Sequence, residues 1–319
     1  MSDDPDVLLE FAQSLTSHDP KTVKAYQSAM RGFVYWLKDQ PGGSPFLPGQ
    51  ITETAIRGYM DYLATEGRAP RTRSQTLTTL SRFCRWAISA GYLQRNPASQ
   101  IQRPAIINTA PRELTPAQRY SLKKLVEREQ SPRLSAIFAL GYWTGLRISE
   151  VAQLRREHCH VNKRAGHITI VDSKGGKTRT IDLHPEARRA LYNYLCANDP
   201  MRRDASDPDS PYLFTSQRAA WLRQRGRPDH LTMRGIEHIW TALKQRAPQD
   251  ECELIEDVTF HDLRHDFAHR ARAAGWNLEE IAVYLGHQTR GGLPAIATTV
   301  RYTLPGRTQL KKKLQHLTG

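Results

Sequence analysis

A proline-punctuated stretch from Asn96 to Pro111, NPASQIQRPAIINTAP, constrains the architecture of this chain more than any other feature. Proline breaks both a helix and a sheet interior, and no apolar periodicity runs through these three prolines. The stretch therefore reads as an interdomain linker over residues 96–111. It separates a first domain, residues 1–95, from a larger second one, residues 112–319. A chain of 319 residues is long enough for two domains, each with its own buried core.

The first 95 residues are helical in pattern throughout. Residues 6–15 form a short amphipathic helix. Asp19-Pro20 then opens a second, with Asp as N-cap and Pro in the first turn, and Val23, Tyr26, Met30, Phe33, Val34 and Leu37 on its buried face. Thr52 caps a third helix that carries Ile56, Met60 and Leu63, and Gly67 ends it. A fourth buries Leu77, Leu80, Cys84 and Ala87 and closes at Gly91; Arg68, Arg71 and Arg73 flank its start. Four or five helices in about 90 residues predict a compact all-α domain.

The larger part mixes patterns. Thr115-Pro116 starts a helix, another spans about Pro132–Trp143, and Thr144-Gly145 turns the chain into TGLRISE, where Arg147 and Glu150 stand one helical turn apart. HITIV (167–171) and TRTIDL (178–183) alternate, are rich in β-branched residues and are separated by DSKGGK, which predicts a β-hairpin with a Gly-rich turn. Helices follow over HPEARRALYNYLCAN and LTMRGIEHIWTALKQRA. The fold class is thus mainly α with a small β-hairpin or sheet.

The densest chemistry lies in Val258–Tyr302. Thr259 and Asp262 make a capping-box start, Leu263, Phe267, Ala271 and Ala274 share one face, and His261, Arg264 and His265 are placed away from it. Gly275 ends this helix, a second runs over about Leu278–Leu285 to Gly286 and presents His287, and Thr298-Thr299 restart a helical segment that carries Tyr302. Arginine grips phosphate oxygens with a planar fork, histidine holds or passes a proton near neutral pH, and a tyrosine phenol can carry a covalent adduct. His261, His265 and His269 recur every four residues, but the zinc-protease pattern needs Glu beside its first His and here Asp262 stands there. No metal is expected.

Composition narrows the partners. Lys and Arg number 46 against 32 acids, a net charge of +14 with pI near 9.8, which favours a polyanion. Residues 1–105 carry 12 basic and 9 acidic side chains, so about +11 of the charge resides in the remainder. Four cysteines without CxxC spacing, an acidic start and no apolar run near ~20 residues predict a cytoplasmic protein with no membrane partner.

HDLRH, LGH and TTVRY, with TGLRISE upstream, resemble the motifs of the tyrosine site-specific recombinases, the phage integrase family. The resemblance implies an N-terminal SAM-like core-binding domain that clamps DNA and a C-terminal mixed α+β catalytic domain. The absence of a segment before residue 6 for an arm-binding domain favours the two-domain Xer- or Cre-like type. It implies Tyr302 as nucleophile, Arg147 and Arg264 as phosphate-binding arginines, His261 as proton acceptor and His287 as a phosphate ligand. Lys174, the first lysine of KGGK, would be the proton donor, with Lys177 as the alternative. Glu150 and His265 would support them, and Arg68, Arg71 and Arg73 would contact DNA.

The implied activity is strand cutting and rejoining through a 3′-phosphotyrosyl link, without cofactor, for integration, excision or resolution. Its partners would be a duplex with an inverted-repeat target site and a tetramer of subunits on two such sites. A type IB topoisomerase-like enzyme and a non-catalytic DNA-binding protein on the same fold are the alternatives. One departure stands out: family members commonly have about nine residues from the LGH histidine to the tyrosine, and here GGLPAI lengthens the span from His287 to Tyr302 to fifteen.

Overall fold

A computed structural model describes residues 6–106, 112–171, 178–196, 207, 209–289 and 291–302, with Arg301 and Tyr302 described by backbone alone. The chain divides into two compact units, Met1–Asn108 and Thr109–Gly319.

The first unit holds α1 (Asp6–Gln13), α2 (Pro20–Lys38), α3 (Glu53–Thr65) and α4 (Pro70–Ser89). Local chemistry starts and stops them: the Asp19 carboxylate accepts from Lys21 N, Thr52 Oγ1 accepts from Ala55 N, and Gly67 and Gly91 follow α3 and α4. Their apolar faces meet in one core around Phe11, Met30, Phe33, Ile56, Leu80 and Phe83, with the Phe11 and Phe83 rings edge to face at 5.1 Å. This core reaches beyond Arg95. A 3-10 turn, Pro97–Gln100, places Ala98 in it, and Asn96 fastens the turn by donating to Ser81 Oγ at 3.0 Å and accepting from Ala98 N. The prolines at 97 and 104 thus do not mark one uniform connector.

The second unit contains α5 (Pro116–Arg128), α6 (Pro132–Thr144), α7 (Ile148–Ala152), the strands β1 (Cys159–Val161), β2 (Gly166–Val171) and β3 (Thr178–Asp182), then α8 (Pro185–Cys196), α9 (Ala219–Gln224), α10 (Met233–Gln245), α11 (Gln249–Ile255), α12 (Phe260–Ala273), α13 (Leu278–Leu285) and α14 (Ile296–Tyr302). Ten of the thirteen residues of α6 are buried, so this helix has no polar face and forms the centre on which α8 and α12 pack. The hairpin is part of a three-stranded antiparallel sheet in the order β1-β2-β3; β1 is too short to show alternation in sequence. Ile168, Ile170 and Ile181 face the core, and Ile170 pairs with Arg179 across the strands. Among the described residues, no helix is long and apolar enough to cross a membrane.

The helix α12 departs from the simple two-faced pattern. Leu263, Phe267 and Ala271 are buried, but Ala274 is exposed and caps the helix end. Arg264 does not share an outer face with His261: it is fully buried, together with Asp266, Ala268 and His269. Two turns of α12 are enclosed nearly all round because α6 covers one side and α13 and α14 cover others.

Candidate active site

The site is assembled at the end of α6. Gly145 takes φ +62° there, and a β-carbon on it would lie 2.7 Å from Leu285 Cδ2, so only glycine fits both the left-handed turn and the approach of α13. The turn delivers Arg147 to the N-cap of α7. Its backbone N–H donates to Glu150 Oε2 at 2.8 Å and its guanidinium to Glu150 Oε1 at 3.0 Å. The same guanidinium reaches the carbonyls of Leu285 and Gly286, each at 3.4 Å.

Arg264 comes from α12 to the same place from beneath. It donates to Gly145 O at 2.7 Å, to Leu285 O at 2.8 Å and to His287 Nε2 at 2.8 Å. Both arginines thus hold the Leu285–His287 turn, whose carbonyls the end of α13 leaves unpaired within the helix. Their exposure differs sharply: the Arg147 side chain is 38% exposed and the Arg264 side chain 0%. A groove of about 1390 Å³ opens over Arg147 and is walled by Glu150, Gln153, Thr169, His287 and Thr298.

Sequence patterns missed a third arginine. Arg179 on β3 grips Glu150 with both terminal nitrogens at 3.0 Å and donates from Nε to Tyr284 O at 3.1 Å. A signal was present: in TRTID the alternation that turns Ile181 inward also turns Arg179 inward, and an inward arginine needs an anion. Arg179 lies flat on Gly286, where φ is +68° and a β-carbon would come within 2.5 Å of its Nη1. Burial alone would raise the pKa of Glu150, but the hydrogen bonds of Arg179 and the charges of Arg179, Arg264 and Arg147 outweigh it and hold the carboxyl below its ordinary value.

The histidines are neutral for related reasons. His287 is buried, and desolvation followed by the charges of Arg264, Arg147 and Arg179 lowers its pKa to about 3. His265 is half-buried and pushed down to about 4 by desolvation and by His261. His261 sits at the surface with its ring edge to face with that of His265 at 4.6 Å, and desolvation with the charge of Arg264 also lowers its pKa. A neutral imidazole at this place can take up a proton.

Tyr302 ends α14, one turn after the buried Thr299. The lengthened span before it is folded back on itself: Thr289 N donates to Leu293 O at 2.8 Å, Gln288 bridges Pro294, and Ala295 N donates to His287 O at 2.7 Å. The chain therefore re-enters α14 beside the residue from which it left. Tyr284, the nearest other tyrosine, donates its hydroxyl to Asp182 O at 3.1 Å, and burial raises its pKa, so it is poorly prepared to attack anything. Lys174 and Lys177 lie outside the described residues, as does the basic segment after Tyr302. In the first unit, Arg68 and Arg71 are exposed and Arg73 is half-buried, around the start of α4.

Comparison with known proteins places this geometry in context. The model of the phage integrase family matches residues 112–305, and that of the phage integrase SAM-like domain matches residues 6–102. The chain is 29% identical over 296 residues to the tyrosine recombinase XerC of Myxococcus xanthus, covering 92% of this chain and 90% of that one. It is 29% identical over 272 residues to XerD of Rickettsia bellii, covering 83% of each. Among solved structures, the Tn1549 transposon integrase in complex with transposon right end DNA has the same fold, with a TM-score of 0.66 at 17% identity over 98% of both chains. A lambda integrase tetramer bound to a Holliday junction matches at a TM-score of 0.64 and 18% identity, over 92% of this chain and 76% of that one. The all-α first unit, the arginines closing on Glu150 and the family match across most of the second unit lead to one assignment: this chain belongs to the phage integrase family, the tyrosine recombinases.

Proposed function

We propose that the chain is a site-specific recombinase that cuts and rejoins double-stranded DNA through a 3′-phosphotyrosyl intermediate. The observation that carries this reading is the convergence, at one groove, of Arg147, His287 and the helix that ends in Tyr302, with Arg264 directly beneath. The Tyr302 oxygen attacks the scissile phosphorus, the P–O5′ bond breaks, and the strand leaves as a 5′-hydroxyl. Neutral His261 takes the phenolic proton, and Lys174 gives one to the leaving oxygen. A 5′-hydroxyl of a partner duplex then attacks the adduct and releases Tyr302, which recovers its proton. The phosphodiester energy stays in the adduct, so the step draws on no nucleotide.

Arg147, open to the groove, binds the non-bridging oxygens as the phosphorane forms. Arg264 supplies the second positive charge; a direct grip requires the Leu285–His287 turn to shift aside. Glu150 and Arg179 fix Arg147, and His265 packs against His261. Arg68, Arg71 and Arg73 contact the DNA backbone. The target is an inverted-repeat duplex in the cytoplasm, and four subunits unite two such duplexes.

A nicked suicide duplex built from repeats flanking the gene tests the reading. Wild type traps a covalent protein–DNA band whose peptide maps to Tyr302, and Tyr302→Phe, which loses only the phenolic oxygen, binds the duplex and traps none. An adduct at Tyr284 overturns the assignment of the nucleophile. Binding without any adduct favours a non-catalytic DNA-binding protein, and relaxation of single circles without strand exchange favours a topoisomerase.

A further inference from the structure

Thr299 is a buried hydroxyl on a short helix, and the cleavage chemistry makes no use of it. It is fully buried on α14, three residues before Tyr302. Its hydroxyl donates to Ala295 O at 3.2 Å, the back-bond a helical threonine commonly makes. A buried threonine could stop there. Here the same oxygen also meets His287 Nδ1 at 3.0 Å, while Nε2 of that ring meets Arg264 Nη2 at 2.8 Å.

The direction of each bond follows from the groups themselves. A guanidinium can only donate, so Nε2 of His287 accepts. The Thr299 hydrogen is given to Ala295, so its oxygen accepts from Nδ1. The ring is therefore the neutral Nδ1–H tautomer, which agrees with the depressed pKa of His287. A directed chain of bonds results, from Arg264 through His287 and Thr299 to the carbonyl of Ala295. Arg264 anchors its far end on Gly145 at the close of α6, and Ala295 N returns a bond to His287 O. His287 is thus joined to the start of α14 by backbone and side chain together.

We propose that Thr299 is a positioning residue for strand cleavage: its hydroxyl holds the orientation of His287, whose tautomer Arg264 fixes, and ties the helix that delivers Tyr302 to the buried Arg264. The tether also explains how the span from His287 can be lengthened by a folded-back loop without loosening α14, since register is held through the side chains and not by loop length. The proposal rests on Tyr302 being the nucleophile, and its test separates the two.

Thr299→Val keeps the branched shape and removes the oxygen, so His287 loses its acceptor; Thr299→Ser keeps the oxygen. Single-turnover adduct formation at saturating suicide duplex is expected to slow at least ~10-fold in Thr299→Val, the loss of one buried hydrogen bond to a positioned group. Thr299→Ser should restore most of the rate, and the duplex Kd of both should stay near that of wild type. The ¹H and ¹⁵N shifts of the His287 ring supply a readout that simple loosening of the helix does not move. All three proteins should show Nδ1–H, because Arg264 can only donate to Nε2, and the Nδ1 proton should lose its hydrogen-bonded shift in Thr299→Val alone. An unchanged adduct rate in Thr299→Val, an equal slowing in Thr299→Ser, or Nε2–H in the wild type overturns the proposal. A wild type that binds duplex but forms no adduct overturns the recombinase reading instead, and the Nδ1 proton shift then still reports whether the tether exists.

Discussion

Glu150 is the residue on which the site turns: its carboxylate, 13% exposed, faces Arg147, Arg179 and Arg264 at once. One buried anion among three cations leaves a net positive field at the groove, which suits a phosphate and disfavours protonation of any nearby histidine. That has a measurable consequence for stability. With the folded pKa of His287 near 3 against an ordinary value of 6.5, both states are neutral above pH 6.5 and no pH dependence arises there. Below it the unfolded chain takes up a proton that the folded chain refuses, so stability falls as pH drops from 6.5 toward 3. By pH 5 the loss from this group alone is on the order of 2 kcal/mol. The melting temperature should decline between pH 7 and 5, and His287→Asn, which does not titrate, should show a shallower decline from a lower starting value. An identical slope in the two proteins would remove His287 as the cause.

At the scale of elements, the distinctive feature is the loop between α13 and α14. Its ends meet through Gln288 and Pro294, and the His287–Ala295 bond lies below that closure, so the extra residues project away without changing where α14 begins. Added loop length of this kind costs little entropy. Removing Thr289–Pro294 should therefore leave adduct formation on a suicide duplex within about threefold of wild type, because the tether through Thr299 remains. A large loss of cleavage would mean that the loop itself sets the reach of Tyr302. Leu293, 70% exposed at this loop, has no part in the core whose loss would confuse the result. The enclosure of α12 has the opposite character: Asp266 within it accepts from Leu114 N, Arg119 and Arg270, and so binds the start of α5 to the helix that carries Arg264.

For the whole molecule, no buried cluster among the described residues is shared between the units: the aromatic cluster around Phe33 and Phe83 belongs to the first, and those around α6 and around Phe267, Ile281 and Leu285 to the second, which implies two units able to fold independently. Residues 109–319 expressed alone should melt cooperatively and retain adduct formation with Tyr302. Their affinity for duplex should fall at least ~10-fold once the basic surface around Arg68 and Arg71 is gone, by loss of the second attachment. Failure of residues 109–319 to fold would show that the first unit completes the second core.

Much of this is legible in the amino-acid sequence because it is local. Capping at Asp19, Thr52, Thr115, Thr259 and Asn277 and the end of α13 at Gly286 depend on residues within one turn of each other, and periodicity shows them directly. The motif residues of the site are legible by resemblance. What only the tertiary structure decided is how they face one another: Arg179 on Glu150 across 29 residues, Arg264 on Gly145 across 119, and the burial that turns Arg264 from a surface residue into one sealed under His287. Strand alternation turns Arg179 inward but does not name a charge partner so far away in the chain, and a helix enclosed on several sides looks in sequence like one with a polar face. The path of the loop after His287 belongs with them, because nothing in GGLPAI itself specifies that its ends return to the same place.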